Sequence, residues 1–386
     1  MRFFIRSLVL CLCVSTAVAS VPVDQVRKTL DLMEQAVLKR DSGAYMALVE
    51  PRDQNFATER RAWFKDLDLN PVQKFEMSIV GDPEMTADDD TEFIARIEVR
   101  WTLKGDGVDR SIQYDALFRA VSRADGDWRY AGRKWDERMA ISVSHGPFYR
   151  AQVFYGSDDL GFASGVISNI RKIQQQIERE LDLKLSRPLI VKTYPDMASL
   201  QYSIALGYLN PISGWNEPGE SIKLLALKDV PRERVSSLLA HEIGHAVSFE
   251  FGDQILNAPW WSLEGIAELV SDPYRSSSID SRHLSIAKQV KQGDRRTWDQ
   301  LSDFKGQALN HATYVYPQGW SMVRYITQRF GKKARNKWFA EMGKGASVEE
   351  ATLKVLRVSF EDLDMEWEAE MISIAQQAGA ESADQP

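Results

Sequence analysis

The sequence predicts an α+β protein built from two domains. Three observations carry that prediction. Two-residue alternation runs over residues 91–103 and resumes over 114–120, apolar residues recur at helical spacing on both sides of it, and the character shifts around Ala140 to Ser144, after which helices dominate. A chain of 386 residues with 44% hydrophobic and 10% aromatic content can bury a core in each domain.

The elements follow in order. Val26, Leu30, Met33 and Val37 recur at helical spacing, and Ala44 to Val49 and Thr58 to Leu67 read as two shorter helices. From Thr91 to Leu103 the odd positions (Phe93, Ala95, Ile97, Val99, Trp101, Leu103) are apolar against Glu92, Arg96, Glu98, Arg100 and Thr102, the pattern of a half-buried strand. Tyr114, Ala116, Phe118 and Ala120 continue it, and Asp125-Gly126 signals a hairpin before a strand with Trp128 and Tyr130. Phe148 to Tyr155 reads as a strand, and Ala163 to Leu181 as a long helix with Val166, Ile170, Ile173, Ile177 and Leu181 on one face. Leu189 to Thr193 and Ile222 to Leu227 are short β-rich runs. A helix with apolar faces is expected from Val230 to Phe251, with Asp229 as N-cap and Gly252 as stop. The expected divisions are a leader over 1–19, a first domain over 22–140, a second over 145–375 and a frayed tail over 378–386.

The leader reads as a secretory signal peptide: Arg2 and Arg6 precede the apolar run Leu8 to Val14, and Ala17-Val18-Ala19 offers a cleavage site before Ser20. Both cysteines, Cys11 and Cys13, lie inside it, so the mature chain would hold no disulfide. Leu10 and Leu12 stand before them, where a lipobox needs a small residue. No later apolar run approaches the ~20 residues of a membrane span. The expected product is therefore exported, periplasmic or secreted, with no integral membrane segment. Beyond the leader, 46 basic residues face 55 acidic ones of interspersed sign, a balance that argues against nucleic-acid binding.

The chemistry concentrates in His241-Glu242-Ile243-Gly244-His245, followed after eighteen residues by Glu264. On a helix, His241 and His245 project from one face about one turn apart and can grip one metal ion, with Glu264 as third ligand. Glu242 lies beside the metal's open side, placed to take a proton from an activated water without coordinating. Two unpartnered histidines on so apolar a helix would cost free energy, which disfavours their being ordinary core residues. Three ligands without cysteine describe an open, catalytic zinc site rather than a closed structural one. Gly244, costly mid-helix, suggests close approach of another backbone.

The segment Trp261-Ser262-Leu263-Glu264-Gly265-Ile266-Ala267 resembles the W-x-x-E-G-x-A segment of gluzincins, zinc metallopeptidases, and most of all the bacterial peptidase MA-like family. The eighteen-residue gap is similar to that of aminopeptidase N relatives. A metzincin would need Gly and His where Ser248 and Phe251 stand, and an inverted H-x-x-E-H is absent. The resemblance covers roughly residues 145–370. It implies a thermolysin-like domain with a small sheet lobe and a helical lobe, Zn2+ as cofactor and a peptide or protein as substrate. It also implies that Glu268, four residues after Glu264, hydrogen-bonds the other ring nitrogen of His241. Tyr316-Pro317-Gln318-Gly319 resembles the Y-x-K-G segment whose tyrosine stabilises the oxyanion; the lysine is missing, Tyr314 competes for the role, and His311 is a further candidate. His145 and His283 read as ordinary residues.

The first domain resembles the NTF2-like, or cystatin-like, α+β fold on pattern alone, without a catalytic constellation, which suggests binding or positioning. Aminopeptidases of the clan carry a G-x-M-E-N strand whose glutamate captures the free amine. Here Gly214-Trp215-Asn216-Glu217-Pro218 stands, which suggests an edge strand for an extended peptide and favours endopeptidase activity. The competing expectations are an envelope adaptor that keeps the zinc domain as scaffold, and a zinc hydrolase of a non-peptide substrate.

Overall fold

The computed structural model describes residues 20–82, 84–85, 91–121, 127–142, 149–226, 230–304 and 307–383. The leader with Cys11 and Cys13, the Asp125-Gly126 turn, His145 and the Asp229 cap lie outside them. The chain divides into two compact units, Met1–Lys134 with Ala205–Tyr208, and Trp135–Ile204 with Leu209–Pro386.

In the first unit three helices, α1 (Ser20–Lys39), α2 (Ser42–Ala47) and α3 (Gln54–Lys65), precede the strands β1 (Val72–Ile79), β2 (Glu84–Met85), β3 (Glu92–Leu103), β4 (Asp109–Ala120) and β5 (Trp128–Arg133). Asp41 and Asp53 start α2 and α3 by accepting from the backbone N–H of Ala44 and Phe56, each at 2.9 Å. The strands form one antiparallel sheet in the order β1-β3-β4-β5, with β2 beside β3. β1 escapes the sequence reading because only Phe75 and Met77 mark its buried face. The alternation over 92–103 is what the sheet uses: Phe93, Ala95, Ile97 and Val99 are buried. Val26, Leu30, Met33 and Val37 line the buried stripe of α1, which packs on β1 and β5. Arg60 is buried, its Nε 3.0 Å from the Tyr45 hydroxyl and its guanidinium 3.9 Å above the Trp63 ring.

The second unit begins at Trp135, before the boundary expected at 140–145. β6 (Asp136–Ser142) pairs with β7 (Tyr149–Tyr155), and backbone pairing of this kind, invisible to side-chain periodicity, assigns β6 to the second unit's sheet. Next come α4 (Leu160–Leu181), β8 (Ile190–Tyr194), α5 (Met197–Ile204), β9 (Gly214–Trp215) and β10 (Ile222–Leu225). The sheet order is β6-β7-β8-β10-β9; β7, β8 and β10 are mutually parallel, and β9 is an antiparallel edge.

The helical part comprises α6 (Arg232–Ser248), α7 (Trp260–Ser271), α8 (Ile279–Lys291), α9 (Ala312–Phe330), α10 (Lys332–Gly343), α11 (Val348–Ala351), a π-turn over Thr352–Leu356, and α12 (Phe360–Ala383). Its core holds the fully buried Trp261, Trp320, Trp338 and Trp367. The indole N–H of Trp338 donates to Thr352 Oγ1 at 3.0 Å and that of Trp367 to Ser321 Oγ at 2.8 Å, which makes their burial tolerable. The tail expected to fray from Ala378 is instead helical to Ala383, because Ala378, Ala380 and Ala383 are strong helix formers that extend α12. Among the described residues, no helix is long and apolar enough to cross a membrane. The architecture is α+β, as the two periodicities predict.

Candidate metal centre

α6 begins at Arg232, with Pro231 in the N-cap position and no side-chain cap, and passes into a 3-10 turn over Phe249–Phe251 before Gly252. α7 begins at Trp260 behind Pro259, whose lack of an N–H suits a helix start. α6 packs against α7 and α7 against α9. Glycine makes both crossings possible. A Cβ on Gly244 would lie 2.8 Å from Val270 Cγ2 and 3.0 Å from Ala267 Cα, and one on Gly265 would lie 2.5 Å from the Gly319 carbonyl oxygen. The helices therefore approach backbone to backbone and bring their polar side chains to one point.

That point gathers His241 and His245 from α6 and Glu264 from α7, all buried. His241 Nε2 lies 3.1 Å from His245 Nε2 and 3.1 Å from Glu264 Oε2, and His245 Nε2 lies 3.3 Å from the same oxygen. Glu264 Oε2 is buried and faces these two imidazole nitrogens. Two imidazole nitrogens and one carboxylate oxygen turned toward one another describe a cation cradle. Tetrahedral ligands about 2.0–2.1 Å from a zinc ion would stand roughly 3.3 Å from one another, close to the spacings observed. Two imidazoles and one carboxylate form a zinc donor set, and it fits.

Neighbours fix each donor. Glu264 Oε1 accepts from Trp260 Nε1 at 2.7 Å, which aims Oε2 at the histidines. His241 Nδ1 lies 3.0 Å from Glu268 Oε1, and a proton shared there leaves the Nε2 lone pair facing the cradle. Burial alone would raise the Glu264 carboxyl, but the His245 and His241 imidazoles outweigh it and hold it ionised. Burial would likewise raise Glu268, and His241, Arg275 and Arg282 overcome it.

Glu242 is buried on α6 outside the donor set. Burial pushes its carboxyl above the ordinary value against the pull of His241 and His245. Gly214 on the edge strand β9 lies directly against it: a Cβ there would collide with Glu242 Oε1 and approach Cδ to 2.7 Å. Asn216 Nδ2 donates to the Glu242 carbonyl at 3.2 Å, which ties the strand's end to α6.

Of the two competing tyrosines, Tyr316 has its ring centroid 6.0 Å from that of His241 and 6.2 Å from that of Trp260. Tyr314 is engaged elsewhere: its hydroxyl donates to Asp294 Oδ1 at 2.8 Å, and the Arg296 guanidinium lies 3.9 Å from its ring centre. His311 stands at the start of α9, 3.4 Å from Arg296 Nε through Nδ1. His283 packs edge-on to Trp320 at 5.9 Å. Gln318, standing where the resemblance expects lysine, holds the Arg296 backbone with bonds of 2.7 and 3.1 Å.

Sequence reasoning missed Trp260, Asn216, Arg275, Arg282 and Asp272. Only Trp260 carried a readable signal, because it precedes Glu264 by four residues on the same helix face.

No protein-family profile matches this chain, and no curated protein matches it. Among solved structures it is similar to aminopeptidase A of Legionella pneumophila in complex with aspartic acid, at 14% identity and a TM-score of 0.43, over 78% of this chain and 33% of that one. It is similar to an M1 zinc metallopeptidase of Deinococcus radiodurans at 10% identity and a TM-score of 0.37, over 78% and 60%. An aminopeptidase N family protein of Idiomarina loihiensis matches at 9% identity and a TM-score of 0.44, over 79% and 69%. The chain spans a third of the first of these and about three-fifths of the second. Likenesses this distant establish neither family nor activity, so the functional reading rests on the site.

Proposed function

We propose that the chain is a zinc-dependent peptidase of gluzincin type. The observation that carries this reading is the buried convergence of His241 Nε2, His245 Nε2 and Glu264 Oε2, with Glu242 beside them and outside the donor set. His241 Nε2, His245 Nε2 and Glu264 would hold the metal. Bound there, zinc supplies Lewis acidity that polarises the scissile carbonyl and acidifies water.

This chain's own residues do the rest. Glu242, its carboxyl raised by burial, takes the proton of the attacking water and later delivers it to the leaving amine. Tyr316 donates a hydrogen bond from its hydroxyl to the carbonyl oxygen as negative charge develops there. Glu268 holds the His241 ring. The edge of β9, pairing through backbone hydrogen bonds with an extended peptide, would lay the scissile bond over Glu242. Endopeptidase activity is the preferred form, since no G-x-M-E-N strand marks the chain. Equal cleavage of N-terminally free and N-terminally blocked peptides would support it, and a requirement for a free amine would reverse it. Export follows from the leader over residues 1–19, and the first unit, in the NTF2-like reading, positions the substrate.

The deciding experiment compares the protein with Glu242→Gln. The variant should keep its zinc and melting temperature while losing turnover by roughly 10² to 10⁴, since the amide cannot accept a proton. Equal turnover in both proteins removes Glu242 as base.

A further inference from the structure

The carboxylate behind His241 is held on both of its oxygens. Glu268 Oε1, already 3.0 Å from His241 Nδ1, is also met by the Arg275 guanidinium, and Oε2 accepts from Arg282 at 2.7 Å. Arg282 is itself immobilised. Its second amine reaches Asp272 Oδ1 at 2.5 Å, its guanidinium lies 4.3 Å from the Trp320 ring centre, and Trp320 Nε1 donates to Asp272 Oδ2 at 2.9 Å. Arg275 is steadied by Ser271, whose hydroxyl lies 3.2 Å from its Nε and donates to the Glu268 carbonyl. A continuous polar chain thus runs from α9 through α8 and α7 to the metal helix α6.

Two cations and two carboxylates balance in charge, which makes burial of the group tolerable. Such buried pairs stabilise a fold no better than apolar residues of like volume. Their distinctive property is directional: a planar guanidinium whose two amines face two different carboxylates fixes the rotation of both. A carboxylate without these partners could rotate about its last bond and carry the imidazole with it.

On the zinc reading above, we propose that Arg282 and Arg275 are positioning residues that act on the metal through Glu268: they fix its rotation, and so the ring orientation of His241. The clamp touches neither metal nor substrate.

The test uses the whole protein and two readouts that a merely structural tie would not move. These are zinc affinity, measured against a chromophoric chelator, and the visible spectrum after cobalt substitution. Arg282→Gln should weaken zinc binding by roughly 10- to 100-fold and shift the cobalt bands, while unfolding remains cooperative. Arg282→Lys should recover only part of the loss, because one ammonium cannot face both carboxylates in a plane. Arg275→Gln, at a less buried side chain, should change both readouts in the same direction and serves as the deciding variant should Arg282→Gln fail to fold. Wild-type affinity and spectrum in a folded Arg275→Gln or Arg282→Gln protein would overturn the clamp alone. A wild-type protein that takes up no zinc would overturn the metal reading and the clamp together.

Discussion

Tyr316 and Tyr314 lie two residues apart on α9, yet their surroundings differ: one ring faces His241 and the other is bound to Asp294 and Arg296. Tyr316→Phe should lower turnover by roughly 10² to 10³ with substrate affinity nearly unchanged, because a bond to a developing oxyanion strengthens in the transition state. Tyr314→Phe should be mild, and steady-state kinetics of the two variants separates the roles. His241 makes a second prediction. In protein stripped of metal, burial drives its pKa down, but the carboxylates of Glu264 and Glu268 outweigh this and raise it from 6.5 to about 10. A folded-state pKa above the ordinary value means that the ring is charged at pH 7, that its contribution to stability is complete below 6.5, and that this contribution fades as pH rises through 10. A ligand imidazole must be neutral, so zinc uptake at pH 7 should release this proton, and apparent affinity should rise about tenfold per pH unit. Titration of zinc into weakly buffered, metal-stripped protein, followed by pH electrode, checks it.

At the scale of elements, the site depends on how closely neighbours approach. β9 comes so near α6 that a methyl group on Gly214 would displace the Glu242 carboxylate. Gly214→Ala should therefore lower turnover at least tenfold while zinc content stays at one per chain, which elemental analysis beside kinetics would show. Loss of zinc instead would mean that the strand supports the donors rather than the base. The same logic explains Gly265 and Gly319, where α7 and α9 touch through their backbones, and Gly244, where α6 meets Ala267 and Val270. Helical pattern alone marks such glycines as costly, and only the packing shows what the cost secures.

For the whole molecule, metal and fold are linked. The donors come from α6 and α7, which pack directly against each other, so a metal that binds only the folded arrangement adds to its stability. At a free zinc concentration one hundred times the dissociation constant the gain is about 2.7 kcal/mol. Scanning calorimetry in excess zinc and in chelator should show a higher melting temperature with zinc. Identical curves would mean that the site does not engage the metal. With no cysteine after Cys13, no disulfide can supply that stabilisation within residues 20–386.

What the sequence determined by itself was local and periodic. The strand over 92–103, the 114–120 part of the next strand, the helix ending at Leu181 and the donor helix were legible because a buried face repeats every two or every three to four residues. The convergence of His241, His245 and Glu264 was legible because i,i+4 spacing fixes two of the three donors on one face, and the resemblance supplied the third. Backbone pairing decided the rest. It assigned β6 to the second unit and revealed β1, whose apolar signal is two residues long. Tertiary packing set the Tyr316 ring beside the donors and engaged Tyr314 elsewhere, and it alone brought Arg275 and Arg282 onto Glu268 from seven and fourteen residues away. A charged side chain carries no periodicity that announces its partner. Which carboxylate an arginine meets is set by where helices cross, and those crossings depend on backbone contacts between residues far apart in the chain.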